Sequence, residues 1–85
     1  MSLFRMIVYL VCNTVDLGYH AEYAYTTLER AEAKMAEMVE EAKQRYIKSA
    51  MIPTAYYAGS TYEEAAADAE RYHEKWEIAE VEVEE

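Results

Sequence analysis

Residues 4–12, FRMIVYLVC, decide how this 85-residue chain folds. The stretch is rich in β-branched and aromatic side chains and is short, so it reads as a strand. Strand side chains alternate between two faces, which puts Met6, Val8, Leu10 and Cys12 on one face and Ile7, Tyr9 and Val11 on the other. Both sets are apolar. A strand that is apolar on both sides belongs in the middle of a sheet, with a neighbour along each edge. The rest of the chain must therefore supply two more strands and a cover.

The first neighbour follows directly. Asn13 to Gly18 (NTVDLG) carries the Asn, Asp and Gly of a turn. Residues 19–25 (YHAEYAY) then alternate, with Tyr19, Ala21, Tyr23 and Tyr25 on one face and His20, Glu22 and Ala24 on the other. This is a half-exposed strand closing a hairpin with the first. Thr26-Thr27-Leu28-Glu29 has the form of a capping box, in which Thr26 and Glu29 satisfy each other's backbone amides. A helix over 27–49 follows, with an apolar stripe of Leu28, Ala31, Met35, Met38, Val39, Ala42 and Tyr46 at steps of three and four.

Pro53 disfavours helical geometry at Ile52 and ends this helix before the segment 52–59. Two overlapping capping boxes in Ser60-Thr61-Tyr62-Glu63-Glu64 start a second helix over 61–75, with Tyr62, Ala65, Ala66, Ala69, Tyr72 and His73 facing inward. The other sheet neighbour is residues 76–83, WEIAEVEV. Its alternation is out of phase: Ala79, Val81 and Val83 share one face while Trp76 and Ile78 share the other. Either a bulge near Ala79 resets the phase, or Trp76 belongs to the helix end. The fold class is α+β with order ββααβ. It is a single domain with a three-stranded antiparallel sheet, the first strand central and both helices packed on one face. The other face, with its tyrosines, is expected to be partly exposed or to meet a partner.

Parts of this pattern resemble a loose group of small uncharacterised phage and prophage proteins. The matching stretches are Met6-Ile7-Val8-Tyr9-Leu10-Val11, then Tyr25-Thr26-Thr27-Leu28-Glu29-Arg30-Ala31-Glu32, then Trp76-Glu77-Ile78-Ala79-Glu80-Val81-Glu82-Val83. The resemblance implies an α+β fold and a viral or bacterial origin. It carries no functional residue across, and the longer first helix and the 52–75 region depart from it.

Composition narrows the function. The single cysteine, Cys12, sits in an apolar run and reads as a small buried hydrophobe in a reducing, cytoplasmic setting. No segment approaches the ~18 apolar residues that span a bilayer. Glu70-Arg71-Tyr72-His73 is one Glu-x-x-His, where di-iron bundles use two. The glycines, Gly18 and Gly59, stand apart and form no phosphate loop. No Ser-His-Asp or Cys-His grouping arises from two histidines, so no enzyme activity, cofactor or metal is expected. A net charge of −9 repels phosphate and argues against direct nucleic-acid binding.

The charge is unevenly placed. Residues 61–85 hold ten acidic groups against two basic ones, whereas residues 27–60 hold five of each. Such a block steers basic partners, and on a terminal edge strand it also discourages edge-to-edge pairing. Tyr56 and Tyr57, near Pro53 and Gly59, add the amphipathic rings favoured at interfaces. The expectation is a non-enzymatic acidic protein-binding module, phage-derived and docking on a basic host protein. Its partner-binding residues would be Tyr56, Tyr57, Glu63, Glu64, Asp68, Glu70, Glu74, Glu80 and Glu82. The alternatives are a small homodimeric structural protein paired through the open sheet face or an edge, and a small-molecule-binding or enzymatic domain with a Tyr-lined pocket near His20 and His73.

Overall fold

The computed structural model describes residues 5–14 and 20–84. The expected strand starts at Phe4 and Tyr19, the turn residues Val15 to Gly18 and the terminal Glu85 lie outside the described residues. The elements are β1 (Arg5–Asn13), β2 (His20–Tyr25), α1 (Leu28–Met51), α2 (Tyr62–Tyr72) and β3 (Trp76–Glu84). The sheet is antiparallel in the order β2-β1-β3. The doubly apolar strand is indeed the central one, and the fold is α+β in the order ββααβ.

The chain divides into two compact units. A sheet unit holds residues 1–38 and 75–85, and a helical unit holds residues 39–74. The helix α1 runs through both.

In the sheet unit, β3 pairs with β1 in unbroken register from Arg5↔Glu84 to Asn13↔Trp76. No bulge occurs near Ala79, and Trp76 is a strand residue. The phase needs no reset because both faces of the sheet accept apolar side chains: Trp76 and Ile78 stand beside Asn13 and Val11 on one face, Ala79, Val81 and Val83 beside Leu10, Val8 and Met6 on the other. The irregularity lies instead in the β1–β2 pairing, where Val11 faces Tyr23 but Cys12 faces Ala21, leaving Glu22 as the extra residue. Thr14 extends the β1–β3 pairing at one end, its amide and its hydroxyl both donating to the Lys75 carbonyl at 3.1 and 3.2 Å.

The register also relocates the tyrosines. Tyr9, Tyr23 and Tyr25 share the face of Val11, and the first half of α1 lies over that face. There Lys34 Nζ sits 4.4 Å from the Tyr23 ring centroid and Arg30 5.7 Å from that of Tyr25. The tyrosines therefore do not stand on the face opposite α1, although Tyr23 and Ile7 of their face remain partly exposed, as expected. On the other face Met6, Val81 and Val83 are exposed and Cys12 is buried. Helix coverage of the tyrosine face leaves Val11 fully buried, while the indole Nε1 of Trp76 is buried without an acceptor.

Helix ends follow side-chain capping. Thr27 rather than Thr26 caps α1: its Oγ1 accepts from the Arg30 amide at 3.3 Å, and its carbonyl from Ala31 at 3.2 Å. Starting one residue later puts Leu28 in the first turn, where it is 44% exposed instead of anchoring the core. The rest of the stripe is sound, with Ala31 and Ala42 buried and Met35, Met38, Val39 and Tyr46 half-buried; Ile47, outside the expected stripe, is buried too.

The helical unit is closed by small residues. Ile47 packs with Ala65 and Ala69, flanked by Tyr46, Ala50 and Ala66. The alanines allow α2 to approach α1 closely. Thr61 and Glu64 form the complete capping box of α2. That helix ends at Tyr72 rather than 75, because His73 is already extended (φ −67°, ψ 159°). Tyr62 and Tyr72, expected inside, are exposed; Tyr72 lies against Tyr46 with ring centroids 6.3 Å apart.

Candidate functional site

The segment between the helices is a built turn. The Thr54 amide donates to the Tyr57 carbonyl at 2.7 Å, and the Tyr56 amide donates to Thr54 Oγ1 at 3.3 Å. The Tyr57 hydroxyl bonds to Ser60 Oγ, and the Ser60 amide returns the chain to the Ala50 carbonyl at 2.8 Å. Gly59 makes this return possible. Its φ is +88°, and a Cβ there would lie 2.6 Å from the Met51 carbonyl oxygen. The tip of this tied turn carries Tyr56, which is 100% exposed, while Ile52 and Tyr57 are also exposed beside it. The aromatics of this loop do not complete a core.

The expected acidic residues fall into two groups, one in each unit. Glu63, Glu64 and Asp68 lie on α2, and so does Glu70, whose carboxylate is 3.1 Å from Lys43 Nζ. Glu74 follows α2 and is 2.8 Å from Arg45. These two ion pairs tie the α2 region to α1, so part of the acidity is answered within the fold. Glu64 is committed to its cap, its carboxylate accepting from Thr61. Glu63 is exposed and Asp68 half-buried. Burial pushes the Tyr46 hydroxyl above its ordinary pKa, and the nearby Asp68, Tyr72 and Tyr57 push it the same way. Glu80 and Glu82 belong to β3 in the sheet unit, on the tyrosine face. Glu82 is 3.2 Å from Arg5. Tyr56, Tyr57 and the α2 acids thus share one unit, and Glu80 and Glu82 belong to the other.

Sequence reasoning expected the tyrosine face to be partly exposed or to meet a partner, but did not place Arg30 and Lys34 of α1 beside it. Tyr25, Arg30, Ala33, Lys34 and Glu37 line an open cavity of about 290 Å³ there. Partial burial draws the Lys34 ammonium down, but Glu37, 3.4 Å away, with Tyr23 and Tyr25, holds its pKa above the ordinary lysine value. The signal was present as the period-two tyrosines of β2 and the i,i+4 spacing of Arg30 and Lys34. Neither histidine lines this cavity. His20 is exposed on β2, and His73 Nδ1 lies 2.6 Å from the Glu74 carbonyl. Among the described residues, no three His, Cys, Asp or Glu side chains are grouped to hold a metal ion, and no helix is long and apolar enough to cross a membrane. No protein-family model, curated protein or solved structure matches the chain.

Proposed function

We propose that the chain is a non-enzymatic protein-binding module whose contact is the turn at residues 52–57, with the acidic α2 that follows it steering a basic partner. One observation carries the reading: a fully exposed tyrosine at the tip of a turn whose backbone is already hydrogen-bonded into place. Burying Tyr56 in a partner pocket gains aromatic contact area, and little ordering entropy is lost because the turn is preorganised. Ile52 and Tyr57 extend the same apolar contact. The helical unit holds seven acidic groups against four basic ones, and Glu63 is exposed at the start of α2. That balance favours approach of a basic surface and makes the encounter salt-sensitive.

The test compares proteins captured on the immobilised wild-type chain and on Tyr56→Ser, at low and high salt. The expected result is a basic protein held by the wild type at low salt, released at high salt, and lost from Tyr56→Ser. Equal capture by the variant, or capture indifferent to salt, removes the reading.

A further inference from the structure

Asp68 and Tyr72 stand four residues apart on α2, so their side chains share one face of the helix. One side of the Tyr72 ring is taken by Tyr46 of α1, with the centroids 6.3 Å apart and the planes 28° from parallel. Tyr72 is still 63% exposed, so its other side meets solvent. After burial, the groups that push the Tyr46 hydroxyl above its ordinary pKa are Asp68, Tyr72 and Tyr57, so all three lie close to it. Tyr57 is exposed, its hydroxyl is tied to Ser60, and it follows Tyr56 directly in the turn. The neighbouring cations of α1 pair with other acids, Lys43 with Glu70 and Arg45 with Glu74. Among the described residues no cation pairs with Asp68, although it is half-buried. A carboxylate partly withdrawn from water, beside ring faces that are themselves negative, is a place for a cation.

We propose that Asp68, Tyr72 and Tyr57 receive an arginine side chain of the basic partner, an inference that rests on the protein-binding reading above. The geometry selects the cation. A guanidinium is planar and weakly hydrated, so it can stack on the open side of Tyr72. Its N–H groups lie in the stacking plane and point outward, so the same group can donate to Asp68 one helical turn away. A lysine ammonium is a compact, strongly hydrated charge that meets the ring and the carboxylate less well together. The field agrees in sign. The helical unit holds seven acidic groups against four basic ones, and the whole chain carries −9, so a cation is drawn in and an anion is repelled. Arginine is also among the side chains that carry most of the energy of protein contacts. Tyr56, next to Tyr57 at the tip of the turn, would then supply the apolar contact beside the charged one.

The probe is N-acetyl-arginine amide, titrated into the isotope-labelled full chain at about 0.15 M salt and followed by amide and tyrosine-ring chemical shifts. N-acetyl-lysine amide and the neutral N-acetyl-citrulline amide are titrated alongside. The arginine probe is expected to bind saturably, with a dissociation constant of about 1–10 mM and about 3-fold or more tighter than the lysine probe. The citrulline probe should leave the shifts unmoved. The largest shifts should fall at Tyr57, Asp68 and Tyr72. Asp68→Asn and Tyr72→Leu should each raise the dissociation constant about 5-fold or more. Tyr72→Leu guards against Asp68→Asn disturbing α2. Glu32→Gln, which removes the same charge from an exposed position of α1, should stay within about 2-fold of the wild type. Shifts spread over the carboxylates of β3, an equal response to lysine, or indifference to both variants overturns the proposal. The probe needs no partner, so its result is separate from the capture experiment. Capture lost with Tyr56→Ser but kept by Asp68→Asn overturns this inference and leaves the protein-binding reading standing. Probe binding that depends on Asp68, with no protein captured, supports the arginine site and removes that reading.

Discussion

The two units bury apolar surface by different means. In the sheet unit, a backbone ladder joins β1 to β3, elements some seventy residues apart in the chain, and Val11 is the large side chain fully buried there. In the helical unit Ile47 is buried with Ala65 and Ala69, and Ala42 is buried as well. The difference follows from what sets the spacing. Strands are held ~4.8 Å apart by their hydrogen bonds, so bulky β-branched side chains can stand on the sheet. Helix separation is set by the side chains at the contact, so close approach requires alanine. The helical unit then draws its specificity from capping, from the glycine return and from the Lys43–Glu70 and Arg45–Glu74 pairs.

The contrast can be broken most sharply at its two large buried side chains. Ile47→Ala should cost about 2–4 kcal/mol and Val11→Ala about 2–3 kcal/mol. Hydrogen exchange should show the first loosening α2 and the second loosening the β1–β3 ladder; identical protection losses in both variants would erase the distinction. Gly59→Ala comes next. It forces a side chain into left-handed backbone and against the Met51 carbonyl, and should cost about 1–3 kcal/mol, read by urea unfolding. Thr61→Ala removes the cap of α2 and should cost about 1 kcal/mol, with faster exchange at the Glu64 amide. Leu28→Ala should be the mildest, below about 1 kcal/mol, because the residue is 44% exposed. A loss above about 2 kcal/mol there would mean that Leu28 is buried after all.

Much of the fold was legible because it is written in local patterns. The double apolar alternation of 4–12 identified the central strand, and Pro53 marked the end of α1 within two residues. Leu28 was misplaced because Thr26 and Thr27 are equally good caps by sequence, and choosing between them shifts the helix start by one residue. Ile47 was missed because the alternative heptad position, Tyr46, has the same apolar character on paper. The candidate site was less legible. Tyr56 and Tyr57 were found by residue type, but Glu64, Glu70, Glu74 and Glu82 each have intramolecular partners that no spacing rule reveals, since the partners lie on other elements or in a cap.

By itself the sequence determined the element order, the central strand, the capped second helix and the excess of acid near the end, because each depends on residues close together in the chain. Tertiary structure decided which face of the sheet α1 covers, that β3 pairs without a bulge, which carboxylates are paired, and that Tyr56 is left at the tip of a tied turn. Those outcomes depend on strand register and on contacts between distant residues, and alternation alone cannot rank two apolar faces.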